Sequence, residues 1–511
     1  MNKILYFFDY GNSFGGAANT LLQQLLVVKE AGYEVKAYVS NYYGNISEAY
    51  SKVFDNYQIK LNEVKYCCCS HTEDIDIIEV LSCYEDVCKV IREEKPDLVH
   101  SVQINSTVEL VCRELKIPHI MDIYQSINAF FAINYTNIFP RYHICDSEMY
   151  ANNWSKGLHT NSTCIRTVVR EFTKRDTISH RENISFIVVG QVTPRKNQLE
   201  VIKGFHNAIA KGVKGILDIY GYNKEQYALD CMEYVRENNI SNSVRFHGFV
   251  TNMLDRYQNS DVLICGSKVE SYPNAISEAL ANGLIVITSP VAGVPEVIKD
   301  KRNGFVTYGY GASDFEEKII ECWKAFQDKS ANNILKEANH TFETVHGREN
   351  VKNQILEYYQ EVIQNNSFKD SLTKDKVELI FQQIIDRYQE SIGRFTYPEL
   401  VKAKLWYWYH ICNIISKAKK EIYIWGAGKM GIYAIEAFKT FLPDREIEGF
   451  IDCKSTGTYQ NHRIYTPAEV IYKNNTIILI AVNNYDEIVK SLDAANRKYG
   501  EDYFLLTARK W

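Results

Sequence analysis

No CxxC pair occurs among the 13 cysteines of this 511-residue chain, and their one cluster is the consecutive run Cys67, Cys68 and Cys69. Structural zinc sites draw on spaced pairs, so a zinc module is excluded as an organising feature. The run reads instead as small buried hydrophobes. An odd cysteine count with no pairing pattern fits free thiols in a reducing cytoplasm. Long apolar runs are missing as well, since nothing approaches the ~20 residues that a membrane-spanning helix needs. The opening Ile4 to Phe8 gives way to Asp9 and Gly11, too early for a signal peptide. That leaves peripheral contact, at the inner face, as the route to a membrane. A surplus of positive charge is also absent: 58 lysines and arginines face 63 aspartates and glutamates, a formal net charge of -5. A general nucleic-acid binder needs the opposite balance to neutralise phosphates. Low-complexity tracts and solenoid-period repeats do not occur.

What is present is the composition of a globular protein, 46% hydrophobic and 24% charged, in a chain too long for one core. Two or three domains are expected. Residues 1–165 alternate strands and helices: a buried strand at Ile4 to Phe8, a loop with Gly11, Gly15 and Gly16, a helix from Ala17 to Ala31, then a strand at Val35 to Val39. Leu98 to His100 and His119 to Ile123 continue the series, and Asp74-Ile75-Asp76 reads as a helix cap. The polar stretch Arg166 to Arg181 reads as a connection between domains. Alternation resumes over 182–345, with strands at Ile184 to Val189, Leu217 to Tyr220, Val244 to Phe246, Val262 to Ile264 and Leu284 to Ile287. A closing helix follows over 346–365. The fold class is therefore α/β, with two Rossmann-like domains facing a cleft where nucleotide ligands bind. A helical linker (366–419) and a third, small α/β domain (420–511) complete it.

The segment Ser267 to Gly283 carries the chemistry. Pro273 suits a helix start and Gly283 its stop. The free backbone N–H groups near Asn274 and Ala275 then make an anion site at the cleft. Glu270 precedes that helix and Glu278 lies within it, placed to bind hydroxyls of a sugar and a ribose.

Asp261-Val262-Leu263-Ile264, Ser267, Glu270, Glu278-Ala279, Gly283, Val286-Ile287, Gly293, Pro295-Glu296 and Asn303-Gly304 together resemble the retaining GT-B glycosyltransferases known as glycosyl transferases group 1. That family carries two glutamates with seven residues between them, as Glu270 and Glu278 are here. The resemblance covers about residues 1–365 and is strongest over 184–310. It implies that Glu270 contacts the donor sugar near the reacting carbon and that Glu278 holds the ribose. Gly190 and Lys196 match the element whose lysine pairs with the diphosphate, and Gly15-Gly16 match the N-terminal phosphate loop. Tyr272, Pro273, Asn274 and Ala275 complete the donor-binding set. Three departures stand out. Gln191 replaces an arginine, for which Arg195 is a substitute. Tyr124 stands where many members have a histidine, and the Asn-Gly-Val-Asp stretch before the second domain is absent. His100, at the end of its own strand, is with Tyr124 an acceptor-side candidate, as a base; the alternative is a polar strand-end residue with no catalytic role.

The expected activity is transfer of a sugar from a nucleotide-sugar to a glycan, a lipid-linked or another acceptor, with retention, in cell-surface polysaccharide or glycoconjugate synthesis. No metal or other cofactor is expected, because a fixed cation and helix N–H groups can stabilise the leaving diphosphate. The alternatives are a decayed sugar-nucleotide-binding scaffold and another GT-B enzyme such as an epimerase. In the tail, Glu421 to Gly431 reads as a strand, a GxGxxG turn (Gly426, Gly428, Gly431) and a helix start, with Asp452 closing the next strand. This resembles small Rossmann-like nucleotide-binding domains attached to sugar-modifying transferases. A nucleotide or sugar-nucleotide is its expected ligand, with a scaffold that has lost its ligand as the alternative, and it reads as a unit that folds by itself. The aromatic run Leu405 to Tyr409 reads as a packing helix, with a membrane interface as the alternative.

Overall fold

Parallel strands buried on both faces need continuous apolar sequence, and Ile4 to Phe8 supply it: each is fully buried. Full burial of each such side chain contributes roughly 1.5–3 kcal/mol relative to exposure. The computed structural model describes residues 2–12, 14–68, 77–124, 141–158, 160–178, 183–221, 225–250, 252–365, 373–391, 405–482 and 485–506. Cys69 and the Asp74-Ile75-Asp76 stretch lie outside the described residues, as do the side chains of Trp406 and Tyr407.

The first sheet holds β1 (Lys3–Tyr10), β2 (Glu34–Ser40), β3 (Leu61–Val64), β4 (Leu98–Val102), β5 (His119–Asp122), β6 (Tyr142–Cys145) and β7 (Asn161–Cys164), in the order β3-β2-β1-β4-β5-β6-β7. The second holds β8 (Ile184–Val189), β9 (Gly215–Tyr220), β10 (Val244–Gly248), β11 (Val262–Cys265), β12 (Ile285–Thr288) and β13 (Phe305–Val306), in the order β10-β9-β8-β11-β12-β13. Both are wholly parallel among the described strands, with Ile4 opposite Val35 and Leu98, and Phe186 opposite Leu217 and Val262. In each, strand order reverses beside the first strand. Ligands bind doubly wound sheets at the carboxyl ends of the strands flanking that switch. The two sheets thus place β1 with β4, and β8 with β11, at the edges where a cleft is useful.

A helix at Arg348–Asn365 follows the second sheet in sequence but packs in the first domain. Val351, Ile355, Tyr358, Tyr359 and Val362 join the core formed by Ile4, Tyr6 and Leu25. Tyr358 donates to the carbonyls of His143 (3.2 Å) and Asn161 (2.7 Å), fastening the helix over β6 and β7. Two facing Rossmann-like units with this crossing helix make the GT-B architecture.

The third sheet comprises β14 (Glu421–Trp425), β15 (Gly449–Ile451), β16 (Thr458–Tyr459), β17 (His462–Tyr465), β18 (Thr476–Ile480) and β19 (Tyr503–Leu505), ordered β16-β17-β15-β14-β18-β19. It does not stand apart as the sequence suggested. Helices Lys374–Ser391 and Leu405–Ser416 wedge Val377, Ile384, Trp408, Ile411 and Ile415 between it and Val87, Cys88 and Ile91 of the first domain. One hydrophobic core runs through all three layers, so the tail is not an independent bead. Trp408 faces this core at 3% exposure, as a packing residue does. Among the described residues no helix is long and apolar enough to cross a membrane.

Candidate active site

At the end of β8 the backbone turns through Gly190 at φ +136°, a conformation that side-chain-bearing residues rarely adopt. The turn lets Lys196 pass close, since a Cβ at 190 would lie 3.5 Å from its Cε. Across the sheet, a Cβ at Gly221 would fall 1.9 Å from the Gly190 carbonyl oxygen. Two strand ends therefore approach backbone to backbone, and Gly221 is a structural requirement that a lone glycine in sequence did not announce.

The loop after β11 brings Glu270 to this point. Its Oε1 lies 2.6 Å from Lys196 Nζ and accepts from Arg195 Nη1 at 2.5 Å. Arg195 also donates to the Val269 carbonyl at 2.9 Å, and Lys268 N–H donates to the Arg195 carbonyl at 2.8 Å. Lys196 and Glu270 are mostly buried, with side chains 19% and 15% exposed. Two cations on one carboxylate leave a positive balance, the electrostatic condition for receiving a diphosphate.

Pro273 caps the helix Asn274–Ala281 in an extended conformation, and Gly283 follows its end at φ +68°. The N–H groups of Asn274 and Ala275 precede the first intrahelical bond and are free for an anion. The Asn274 side chain is occupied in joining domains. Its Nδ2 lies 3.4 Å from the Gly16 carbonyl and 3.3 Å from Thr20 Oγ1, and its Oδ1 accepts from Thr167 at 3.0 Å. Gly15 caps the helix Gly16–Glu30, so two helix N-termini meet here, one from each domain. Glu278 accepts from the Tyr257 hydroxyl at 2.6 Å, and burial raises its pKa against that hydrogen bond. A cavity of about 310 Å³ opens beside it between the domains, lined by Asn19, Gln23, Thr167, Tyr257, Asn274 and Glu278.

Several expected residues are placed otherwise. His100 is fully buried. Its Nε2 bonds Asp122 Oδ1 at 2.8 Å and its Nδ1 meets the Tyr359 hydroxyl at 2.5 Å, so it locks the crossing helix to β4 and is no accessible base. Tyr124 donates to the other Asp122 oxygen at 2.6 Å. The Tyr272 side chain is 3% exposed, under the Arg166 guanidinium (4.7 Å to the ring centre) and against His346, which removes it from the donor-binding side chains. Gln191 turns outward and donates to Glu225 at 2.8 Å. In the third sheet, Gly426 (φ +122°) and Gly431 allow the tight turn, because a Cβ at Gly431 would lie 2.2 Å from the Gly426 carbonyl. Asp452, expected at a ribose, accepts instead from the backbone N–H groups of Lys454 (2.7 Å), Ser455 (2.9 Å) and Ala427 (3.2 Å). Burial opposes its charge, yet those amides hold its pKa low.

The sequence did not reveal the joint between domains. Asp146 and Ser147, just past β6, meet Ser271: the Ser271 hydroxyl bonds Asp146 Oδ1 and lies 3.3 Å from the Ser147 hydroxyl. Arg166 pairs with Glu296, whose carboxylate also accepts from the N–H groups of Glu148 (2.9 Å) and Met149 (2.8 Å) at a helix start. Tyr150 donates to the Glu270 carbonyl at 3.1 Å. Burial lifts the Asp146 pKa to about 7, against the pull of Ser271 and Arg166. Burial drives His346 down to about 3, so it is neutral.

The fold defines the GT-B class of two facing Rossmann-like units. Residues 169–340 match the family described as glycosyl transferases group 1. The chain is similar to a poly(glycerol-phosphate) alpha-glucosyltransferase of Bacillus subtilis, 23% identical over 144 residues, which is 28% of this chain and 21% of that one. It is also similar to a capsular polysaccharide biosynthesis glycosyltransferase, CapH, of Staphylococcus aureus, 27% identical over 143 residues, 27% of this chain and 37% of that one. Both matches span well under two thirds of those relatives. Among solved structures, the Anabaena protein HepE in complex with UDP and glucose superposes with a TM-score of 0.56 at 17% identity, over 71% of this chain and all of that one.

Proposed function

We propose that this protein transfers a glycosyl group from a nucleoside-diphosphate sugar to an acceptor hydroxyl, with retention of anomeric configuration and without a metal ion. The observation that carries the reading is the convergence of Lys196, Arg195, Glu270 and the Asn274–Ala281 helix N-terminus at one strand edge. When the bond from the anomeric carbon to the diphosphate breaks, negative charge collects on the departing phosphates. Fixed cations and aligned N–H groups stabilise that charge with little reorganisation. Glu270 then turns from its cations toward hydroxyls of the sugar, while Glu278 takes the ribose. The acceptor enters from the first domain. UDP is the base-bearing product to test first, because it is what HepE holds. The relatives' names favour a cell-surface polymer as the destination.

The experiment is a hydrolysis screen of common nucleotide-sugars, run with and without EDTA. Release of a nucleoside diphosphate from one donor, unchanged by chelation, is the expected result. Restoration of a chelated loss by manganese would overturn metal independence. Absence of turnover and of binding for every donor would overturn the transferase reading.

A further inference from the structure

At the carboxyl ends of β1 and β2 lies an aromatic group outside the donor site. Tyr10, at the end of β1, meets the Tyr43 ring edge-on with centroids 4.6 Å apart, and Tyr43 meets Tyr42 at 4.9 Å. Tyr43 is 65% exposed, a large ring held in solvent. It is held firmly at its base, because the Tyr10 hydroxyl donates to the Cys68 carbonyl (2.7 Å) and accepts from the Cys68 N–H (2.8 Å). The loop bearing Tyr42 and Tyr43 is drawn in by Gly11, which donates to the Ser40 carbonyl and accepts from Ser47 N–H at 2.8 Å. The loop after β1, which carries Gly11, leads on to Gly16, whose carbonyl lies 3.4 Å from Asn274 Nδ2 of the donor domain. The rings therefore sit at the carboxyl end of the first sheet, the end at which its glycine loop meets the donor domain.

We infer that Tyr43, braced edge-on by Tyr10 and Tyr42, forms a platform for a neutral saccharide unit of the acceptor; this rests on the transferase reading above. An aromatic face carries negative charge density, and a pyranose presents a face of weakly positive C–H groups to it. The surrounding charge selects further. Among the described residues Glu63 and Glu79 stand near the rings beside Lys65: Asn41 donates to Glu63 at 3.3 Å, Tyr42 shares a hydrogen bond with Glu79, and Lys65 lies 5.4 Å over the Tyr42 ring. An excess of carboxylates repels a polyanion. The platform therefore fits a glycan and disfavours a glycerol-phosphate polymer, unlike the acceptor in the Bacillus relative's name.

The test is calorimetric titration of the full chain with maltotriose, cellobiose and chitobiose, and separately with a glycerol-phosphate trimer and with UDP. At least one neutral saccharide should bind, more tightly than the trimer. Tyr43→Ala should weaken it at least fivefold, Tyr43→Phe less than twofold, and neither should change UDP affinity. A Tyr43→Ala loss below fivefold, a Tyr43→Phe loss of twofold or more, tighter binding of the trimer, or no saccharide binding would each overturn the platform. A wild-type chain that binds neither UDP nor any nucleotide-sugar would instead remove the transferase reading, and the acceptor role with it.

Discussion

Glu270 carries two duties that a single substitution can separate. It neutralises Lys196 and Arg195 through one oxygen, and under the proposed reaction it addresses the sugar. Glu270→Ala should lower turnover by about 10²–10³-fold, the scale of losing one preorganised polar contact at the reacting centre. It should leave UDP affinity equal or higher, because the freed cations remain. Lys196→Ala should weaken UDP binding as well as turnover. Rates and titrations on both variants check the pair, and wild-type turnover in Glu270→Ala would remove its role. At Glu278 burial raises the pKa, and the Tyr257 hydroxyl opposes it by favouring the carboxylate. The sequence put Glu270 and Glu278 on one loop and helix, where the structure also has them, because that spacing is local information. It misplaced His100 and Tyr272, whose surroundings come from Tyr359, Arg166 and His346, far away in the chain.

The joining elements set the response to pH. The loop after β6 buries Asp146 against the donor loop, with a pKa near 7 against about 3.9 in an unfolded chain. Between those values the folded state holds the proton that the unfolded state has released. Stability should therefore fall as pH rises from about 4 to 7 and level off above, the sense opposite to a salt-bridged carboxylate. Asp146→Asn keeps an acceptor for Ser271 and removes the titration. Its thermal midpoint should change less between pH 5 and 8 than that of the wild type, as scanning fluorimetry would show. An unaltered pH profile would mean that Asp146 is charged in the fold. His346 works in the other direction, losing stability below about 6.5, so acid from pH 6 to 4 separates the two groups.

At the scale of the molecule, the question is whether the third sheet can be removed. Sequence reading treats residues 1–365 as sufficient, and the glycine turn at Gly426 as the start of something separable. The continuous core contradicts that separation: cutting near Lys419 would uncover Trp408, Ile411 and Ile415, now 3%, 0% and 0% exposed. Exposed apolar patches of this kind drive association. The truncated chain should aggregate, or lose several degrees in its melting temperature, even though no candidate donor residue is touched. Size-exclusion chromatography and melting curves decide the point, and a soluble monomer with wild-type stability would show that the interface is dispensable.

The sequence by itself determined the strand-helix alternation, the two doubly wound sheets, and the spacing of Glu270 and Glu278. Each depends on short-range periodicity or on spacing within one loop and helix. Only the tertiary structure decided that Asp146, Arg166 and His346 join the domains and that His100 serves the crossing helix. It alone decided that Asp452 binds its own loop and that the tail shares a core with the first domain. Those outcomes depend on which surfaces meet across long sequence separations, where burial and unmet hydrogen bonds select the partners and local pattern carries no record of them.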